Sequence, residues 1–472
     1  MERFRIEPKL KNAFGNVIVL VMMVLCAQCA PLVRLPHHAG DVTMEGANGR
    51  LSSSQSEAVV ARAVASAPDP EASAKLVSLM ETLDSEPLYK DNEVRLLVDG
   101  PATYAAMITA IESARRFVEL ETYIFNDDEV GQKFARLLIQ KATEGVTVRV
   151  LYDSIGSVDS PAEFFEQMRA AGIEVIAFHP ANPVAGGNPM NLNNRDHRKL
   201  LVVDDEIAFT GGLNIDRNYS STSSSASSAH DDGAARSGHA ADQKGWRDTH
   251  IQIRGPAVEG CQLLFVTNWR RAGGEVTEPD VQTPHEARGK ELVRILAATG
   301  GKGKVSPIRI AYGLAIANAT ERVWITQPYF APDKAFLDAL EAAAARGVDV
   351  RIILPGQSDS AIALHSSRHC YLTLLKAGVR IYESRDTMVH AKTAVIDGIW
   401  STVGSSNLDY RSFIHNDEVN AIVIGGHFGQ QLEALFNADL ESSNEIDLVA
   451  WQHRPLMDRV KESLASLATY WF

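Results

Sequence analysis

Two short runs of the chain carry the same chemistry at the same spacing. The first is His197-Arg-Lys199-Leu-Leu-Val-Val-Asp204 and the second is His390-Ala-Lys392-Thr-Ala-Val-Ile-Asp397, both of the form HxKxxxxD. Each continues to an asparagine 17 residues after its histidine, Asn214 and Asn407. A His and a Lys two apart on a strand point to the same face. Each run therefore offers one imidazole, one ammonium and, further on, one carboxamide. Two such sets facing each other suit a phosphoryl group, with a nucleophile on one side, an acid on the other and lysines on the non-bridging oxygens. One copy of this pattern is weak evidence; two copies with matching tails are strong. A metal site fits poorly, because a lysine beside each histidine repels a cation and no HExxH or His/carboxylate cluster is present.

The elements around the two runs repeat as well. In the first half a helix near Pro101–Arg115 leads to a strand at 117–125, a helix near Val130–Lys141, a strand at Val146–Tyr152 and another at 172–176. In the second half a helix near Ala315–Arg322 precedes a strand at 323–330, a helix at Lys334–Arg346, and strands at Val348–Leu354 and 378–382. Gly145-Val146 and Gly347-Val348 correspond at a separation of 202 residues. Alternating helices and strands, given twice, predict two α/β sandwich domains. Leu200–Val203 and Thr393–Ile396 read as buried strands. Asp204-Asp205 and Asp397-Gly398 read as the hairpin turns after them, so the motif aspartates are expected to pin turns rather than touch phosphate. Gly211-Gly212 and Gly404-Ser405 are expected to let backbone amides approach an anion.

The halves differ before the motif. Gly172 lies 25 residues ahead of His197, Gly378 only 12 ahead of His390. The surplus, rich in Pro, Gly and Asn, is expected to overhang the site. Ser220–Lys244 reads as a flexible surface loop, and Gly300–Lys304 as a connection between halves. Domain bounds follow: 1–35 targeting, 36–84 linker, 85–290 first repeat, 291–472 second repeat. The first segment sets Arg3, Arg5, Lys9 and Lys11 before an apolar run from Val17 to Ala27. A cleaved signal, an uncleaved anchor over Ala13–Val33 and a lipid on Cys29 all remain open there. Each directs the chain to a membrane or across one.

Composition narrows the classes. With 46 Lys plus Arg against 59 Asp plus Glu, the formal charge is -13, which disfavours a sequence-independent nucleic-acid binder. Four cysteines make no disulfide framework, and Cys26-Ala-Gln-Cys29 lacks the βαβ setting of a redox pair.

The duplicated motif resembles the phospholipase D superfamily, and more narrowly its bacterial cardiolipin synthases. The resemblance rests on Glu121-Thr-Tyr-Ile-Phe125, Arg195-Asp-His-Arg-Lys-Leu200, Phe209-Thr-Gly-Gly-Leu-Asn214, Trp246-Arg-Asp-Thr-His250, Gln327-Pro-Tyr-Phe330 and Gly404-Ser-Ser-Asn-Leu-Asp409, and covers roughly residues 85–455. The chain departs from many such synthases in its N-terminal segment and in Ser220–Lys244. The resemblance implies two phospholipase D-type α/β/α sandwich repeats forming one shared active site. It implies a catalytic set of His197, Lys199, Asp204, His390, Lys392 and Asp397, with Asn214 and Asn407 on the substrate. His197 would be the nucleophile, forming a phosphohistidine, and His390 the acid. Asp248 and Glu418 are expected to orient the imidazoles. No metal or other cofactor is implied, since two lysines supply the charge. The expected activity is phosphatidyl transfer from phosphatidylglycerol to a second lipid alcohol at a bacterial membrane, with its periplasmic face as one location. A hydrolytic phospholipase D is the rival reading, and a nuclease of the same fold is a more distant one.

Overall fold

A computed structural model of the 472-residue chain describes residues 40–83, 86–180, 193–223, 244–276, 286–301 and 305–467. Seven strands build the core of the first repeat: β1 (Leu88–Val98), β2 (Phe117–Thr122), β3 (Thr147–Asp153), β4 (Glu174–Phe178), β5 (Leu200–Val203), β6 (Ile207–Gly211) and β7 (Thr249–Arg254). Seven more build the second: β8 (Glu291–Ala298), β9 (Arg322–Thr326), β10 (Asp349–Pro355), β11 (Arg380–Ser384), β12 (Thr393–Ile396), β13 (Trp400–Gly404) and β14 (Glu418–Ile424).

The first repeat pairs in the order β4-β3-β2-β5-β6-β7-β1. The second pairs as β11-β10-β9-β12-β13-β14-β8, the same order strand for strand. In both, the three strands joined through helices run parallel and the rest are antiparallel, as connection length requires. β1 and β8 pair antiparallel, Val293 opposite Tyr89, which fuses the two sheets. The motif strands β5 and β12 are buried throughout and lie next to the first parallel strand of their repeats. That central place holds His197 and His390 at strand ends with little freedom.

The helices cover the sheets much as the periodicity predicts, for example Asp99–Ser113 and Glu129–Thr143. One begins earlier than expected. Pro307–Asn318 starts eight residues ahead of Ala315, with the Ser306 side chain accepting from the Arg309 amide at its N-terminus.

The stretch expected as a linker is folded over its described residues. Met44–Gly46 adds to the sheet beside Leu88, and the helices Ser53–Ala63 and Pro70–Met80 follow. Leu76, Val77, Leu79 and Met80 are buried with Ile308, Ala311 and Ala315, in the core of the second repeat. The two helices are rich in Ala and Ser, so their apolar face is narrow and hard to see as a period. Side-chain caps at Ser52 and Asp69 start them. The segment before Gly40, and residues 181–192, 224–243 and 302–304, lie outside the described residues. The targeting, overhang, flexible-loop and connection readings fall there wholly or in large part.

Candidate active site

Each motif histidine is tied to the other repeat, first by its backbone. The His197 amide donates to the Asp417 carbonyl at 2.9 Å, and the Asp417 amide to the Arg195 carbonyl at 2.8 Å. The His390 amide likewise donates to the Arg247 carbonyl at 2.7 Å. These bridges set the next residues, Glu418 and Asp248, beside the imidazoles. His197 Nδ1 is 3.0 Å from both carboxylate oxygens of Glu418. His390 Nδ1 is 2.7 Å from Asp248 Oδ2. With Nδ1–H donating to a carboxylate, the lone pair or proton that can react sits on Nε2. Glu418 is itself fixed by Ser405 Oγ at 2.5 Å, Ser412 Oγ at 2.8 Å and Asn416 Nδ2 at 3.2 Å.

Each lysine follows its histidine by two residues, directly before β5 or β12, and is buried. Lys199 Nζ donates to the His197 carbonyl and Lys392 Nζ to the His390 carbonyl, each at 2.6 Å. Burial pushes Lys199 down to about 7, with Glu418 opposing the fall and the charge of Lys392 adding to it. Burial lowers Lys392 to about 8. His197 is pushed well below the ordinary imidazole value by burial and by both lysines, and His390 to about 4 by burial and Lys392. The carboxylates differ. Burial raises Glu418 to about 7, which Lys199 only partly offsets. Burial also acts on Asp248, but His390 and Lys392 outweigh it and hold this carboxyl below its ordinary range. Such a cluster of buried cations is a place prepared for an anion.

Both histidines open into one cavity of about 390 Å³. Asn214 and Asn407 line it too, as expected. Asn214 is already engaged: its Oδ1 accepts from the Ile124 amide at 3.2 Å and its Nδ2 donates to the Tyr219 hydroxyl at 3.2 Å. Asn407 Oδ1 is buried without a partner among the described residues. Tyr123, Tyr219, Trp246, Tyr329 and Arg411 also line it and were not singled out as site residues by the sequence. Tyr219 sits with its hydroxyl 3.1 Å from His390 Nδ1, and Tyr123 packs edge-on to His197 at 4.9 Å. Tyr123, Trp246 and Tyr329 fall inside the quoted family segments; comparing the two repeats residue by residue is the signal that would have raised them.

Two expectations need correction. Asp204 and Asp397 do not line the cavity. They end β5 and β12, seven residues and so roughly 20 Å of strand from the histidines. Asp204 accepts from the amides of Arg115, Arg116 and Phe117 at 2.6 to 2.8 Å. Asp397 accepts from the amides of Thr320, Glu321 and Arg322 and from the Thr320 hydroxyl at 2.8 to 2.9 Å. Both clamp the entry to the first parallel strand of their repeats, from turns with φ of 55° and 52°. They hold turns, as the spacing predicts, and stand apart from the cavity in which the resemblance had set them as catalytic. The small residues after β6 and β13 also serve another purpose. Their amides are committed, Gly212 to the Thr249 carbonyl at 3.0 Å and Ser405 to the Val419 carbonyl at 2.8 Å. A Cβ on Gly212 would stand 2.2 Å from Asp248 Oδ1, so the glycine makes room for the carboxylate that holds His390.

Comparison with known proteins agrees with this geometry. The family described as "Cardiolipin synthase, PLD-like domain" matches residues 107–231 and again 314–440, one segment in each repeat. A cardiolipin synthase of Geobacillus sp. (strain WCH70) is 36% identical over 395 residues, which is 83% of this chain and 75% of that one. Cardiolipin synthase A of Pseudomonas fluorescens is 36% identical over 367 residues, 78% of this chain and 72% of its own. The crystal structure of phosphatidylserine synthase from Haemophilus influenzae Rd KW20 superposes with a TM-score of 0.62 over 83% of this chain and 98% of its own. At 14% identity that likeness speaks to the fold. Duplicated strand order, converging motif histidines and relatives at this identity lead to one assignment: the chain belongs to the cardiolipin synthase family of phospholipase D-like phosphatidyltransferases.

Proposed function

We propose that the chain joins two phosphatidylglycerol molecules, with His197 as nucleophile and His390 as acid and base. The observation that carries this reading is the pair of crossed His–carboxylate contacts opening on one cavity. Their difference supports the division of roles. Asp248, held as an anion, favours an imidazolium at His390. Glu418, raised to about 7, supports a positive charge on His197 less well, and a neutral imidazole is what attacks phosphorus.

In the first step His197 Nε2 bonds to phosphorus while the bond from phosphorus to the glycerol oxygen breaks. The His390 Nε2 proton passes to that oxygen, and glycerol leaves. In the second step His390 takes the proton of the incoming lipid hydroxyl. The new oxygen–phosphorus bond forms, the phosphorus–nitrogen bond breaks, and cardiolipin leaves. Lys199 and Lys392 offset charge on the non-bridging oxygens. Burial, with Lys392 and more weakly Lys199, works against a proton on His390. A bound phosphodiester anion offsets the lysines' field and favours that proton, so the acid gains strength as substrate arrives.

Phosphatidylglycerol vesicles and product counting test the reading. Cardiolipin and glycerol in equal amounts are expected. Phosphatidic acid as the main product with lipid acceptor in excess would make the chain a hydrolase.

A further inference from the structure

The end of the described chain presents its apolar face outward. Of the ten large apolar side chains exposed among the described residues, six stand on the helices Leu448–Gln452 and Leu456–Ser466 and the residue after them. They are Val449, Leu456, Met457, Val460, Leu464 and Leu467, with Leu456 73% and Leu464 63% exposed. At about 100° per residue, the five from Leu456 onward fall within an arc of about 100° on one side of the helix. The opposite side is the one that packs. Glu462 is buried there, and Arg454 donates to both its carboxylate oxygens. The usual arrangement is thus inverted: a polar, ion-paired face docks and an apolar face looks out.

The stripe is joined to the active site through one helix, Ala361–Lys376. Trp451 packs on Tyr371 of that helix at 5.0 Å between ring centroids, and the charge of Glu462 acts on Arg368, one turn nearer its start. The start of the same helix lines the catalytic cavity with Ala363 and Ser366, and Ile362 beside them is another of the ten exposed apolar residues. Arg459 and Lys461 flank the arc and are exposed, Lys461 lying 3.3 Å from Asp458 Oδ1. An apolar arc with cations at its edge matches the interface of a bilayer carrying anionic headgroups.

We infer that Leu456–Leu467, with Val449, is a docking surface for an anionic phospholipid bilayer and lays the cavity against the lipids it serves. The argument for a bilayer over a protein partner is continuity with a cavity built for lipid phosphodiesters. The inference rests on the lipid-substrate reading, and the test separates the two. Full-length protein and the variant Leu456→Gln/Val460→Gln/Leu464→Gln are floated with phosphatidylglycerol vesicles. Both are also assayed on vesicles and on monomeric short-chain phosphatidylglycerol. The variant is expected to lose vesicle binding and vesicle turnover by at least about 10-fold, and to keep turnover of the monomeric lipid within about 2-fold. Vesicle binding equal to that of the unaltered protein overturns the inference, as does lost binding accompanied by a fall in solution mass from two copies to one. If the triple variant also loses monomer turnover, Leu464→Gln alone decides, expected to weaken vesicle binding and not monomer turnover. Failure of the unaltered protein on both lipids would strike the proposed reaction instead.

Discussion

Asp248 and His390 are 142 residues apart in sequence and 2.7 Å apart in space, and they belong to different repeats. The second pair, His197 and Glu418, crosses in the opposite direction over 221 residues. Each repeat therefore lends a carboxylate to the other's imidazole. Asp248→Asn is expected to lower kcat by about 100-fold or more, because His390 loses the anion that stabilises its charged form. Glu418→Gln should cost less, since the amide still accepts from Nδ1–H and a neutral His197 suffices for attack. Single-turnover rates of phosphoenzyme formation and decay check the order.

His197→Ala and His390→Ala should each abolish turnover, since nucleophile and acid cannot substitute for one another. With labelled donor lipid, His390→Asn is expected to trap a covalent phosphatidyl group and His197→Asn to trap none. The opposite labelling would reverse the roles.

Replacing the motif aspartates should act on stability. Asp397→Ala removes one acceptor from three amides and a hydroxyl, and is expected to destabilise the fold by about 2–4 kcal/mol. Denaturant melts read this, while the protein that stays folded should retain kcat within a few-fold.

Inorganic phosphate should stabilise the protein in a pH-dependent way. Lys199 near 7 and Lys392 near 8 lie below their unfolded value, so their burial penalty is full below pH 7. It fades as pH rises toward the ordinary lysine range. An anion relieves that penalty only where the lysines are charged. Phosphate should raise Tm by at least about 2 °C at pH 6.5 and have almost no effect at pH 9.5. An equal rise at both values would mean that it binds elsewhere.

Arg411 stands in the second repeat where Asn218 stands in the first, at the start of the helical turn Arg411–His415, and it lines the cavity on the His197 side. It adds a third cation at one end of the site. Arg411→Gln is expected to depress transfer to phosphatidylglycerol more than transfer to glycerol, by about 10-fold in the ratio of products, because only the lipid acceptor brings a second phosphate. A proportional loss on both acceptors would place Arg411 with the transferred phosphate.

The repeat and the motif faces are legible because local spacing on strands fixes them, and the two orienting carboxylates are legible through the family resemblance. The crossing is not legible. Asp248 follows the first motif and Glu418 the second, so sequence order suggests pairing within a repeat. The exchange arises from the contact between β1 and β8 and from bridges between segments far apart in the chain. Tyr219 was hidden for a related reason. It reaches His390 from the other repeat, and no local pattern marks such a residue. The folded segment from Gly40 to Leu83 escaped notice because its two helices bury a narrow face against a partner more than two hundred residues away.

The exchange of carboxylates also bears on safety. The proposed phosphorus–nitrogen bond would be wasted if water reached it before a lipid did. Because each imidazole takes its support from the opposite repeat, separating the repeats disarms both at once. No half-assembled chain keeps one competent histidine with which to cut lipids it cannot rejoin.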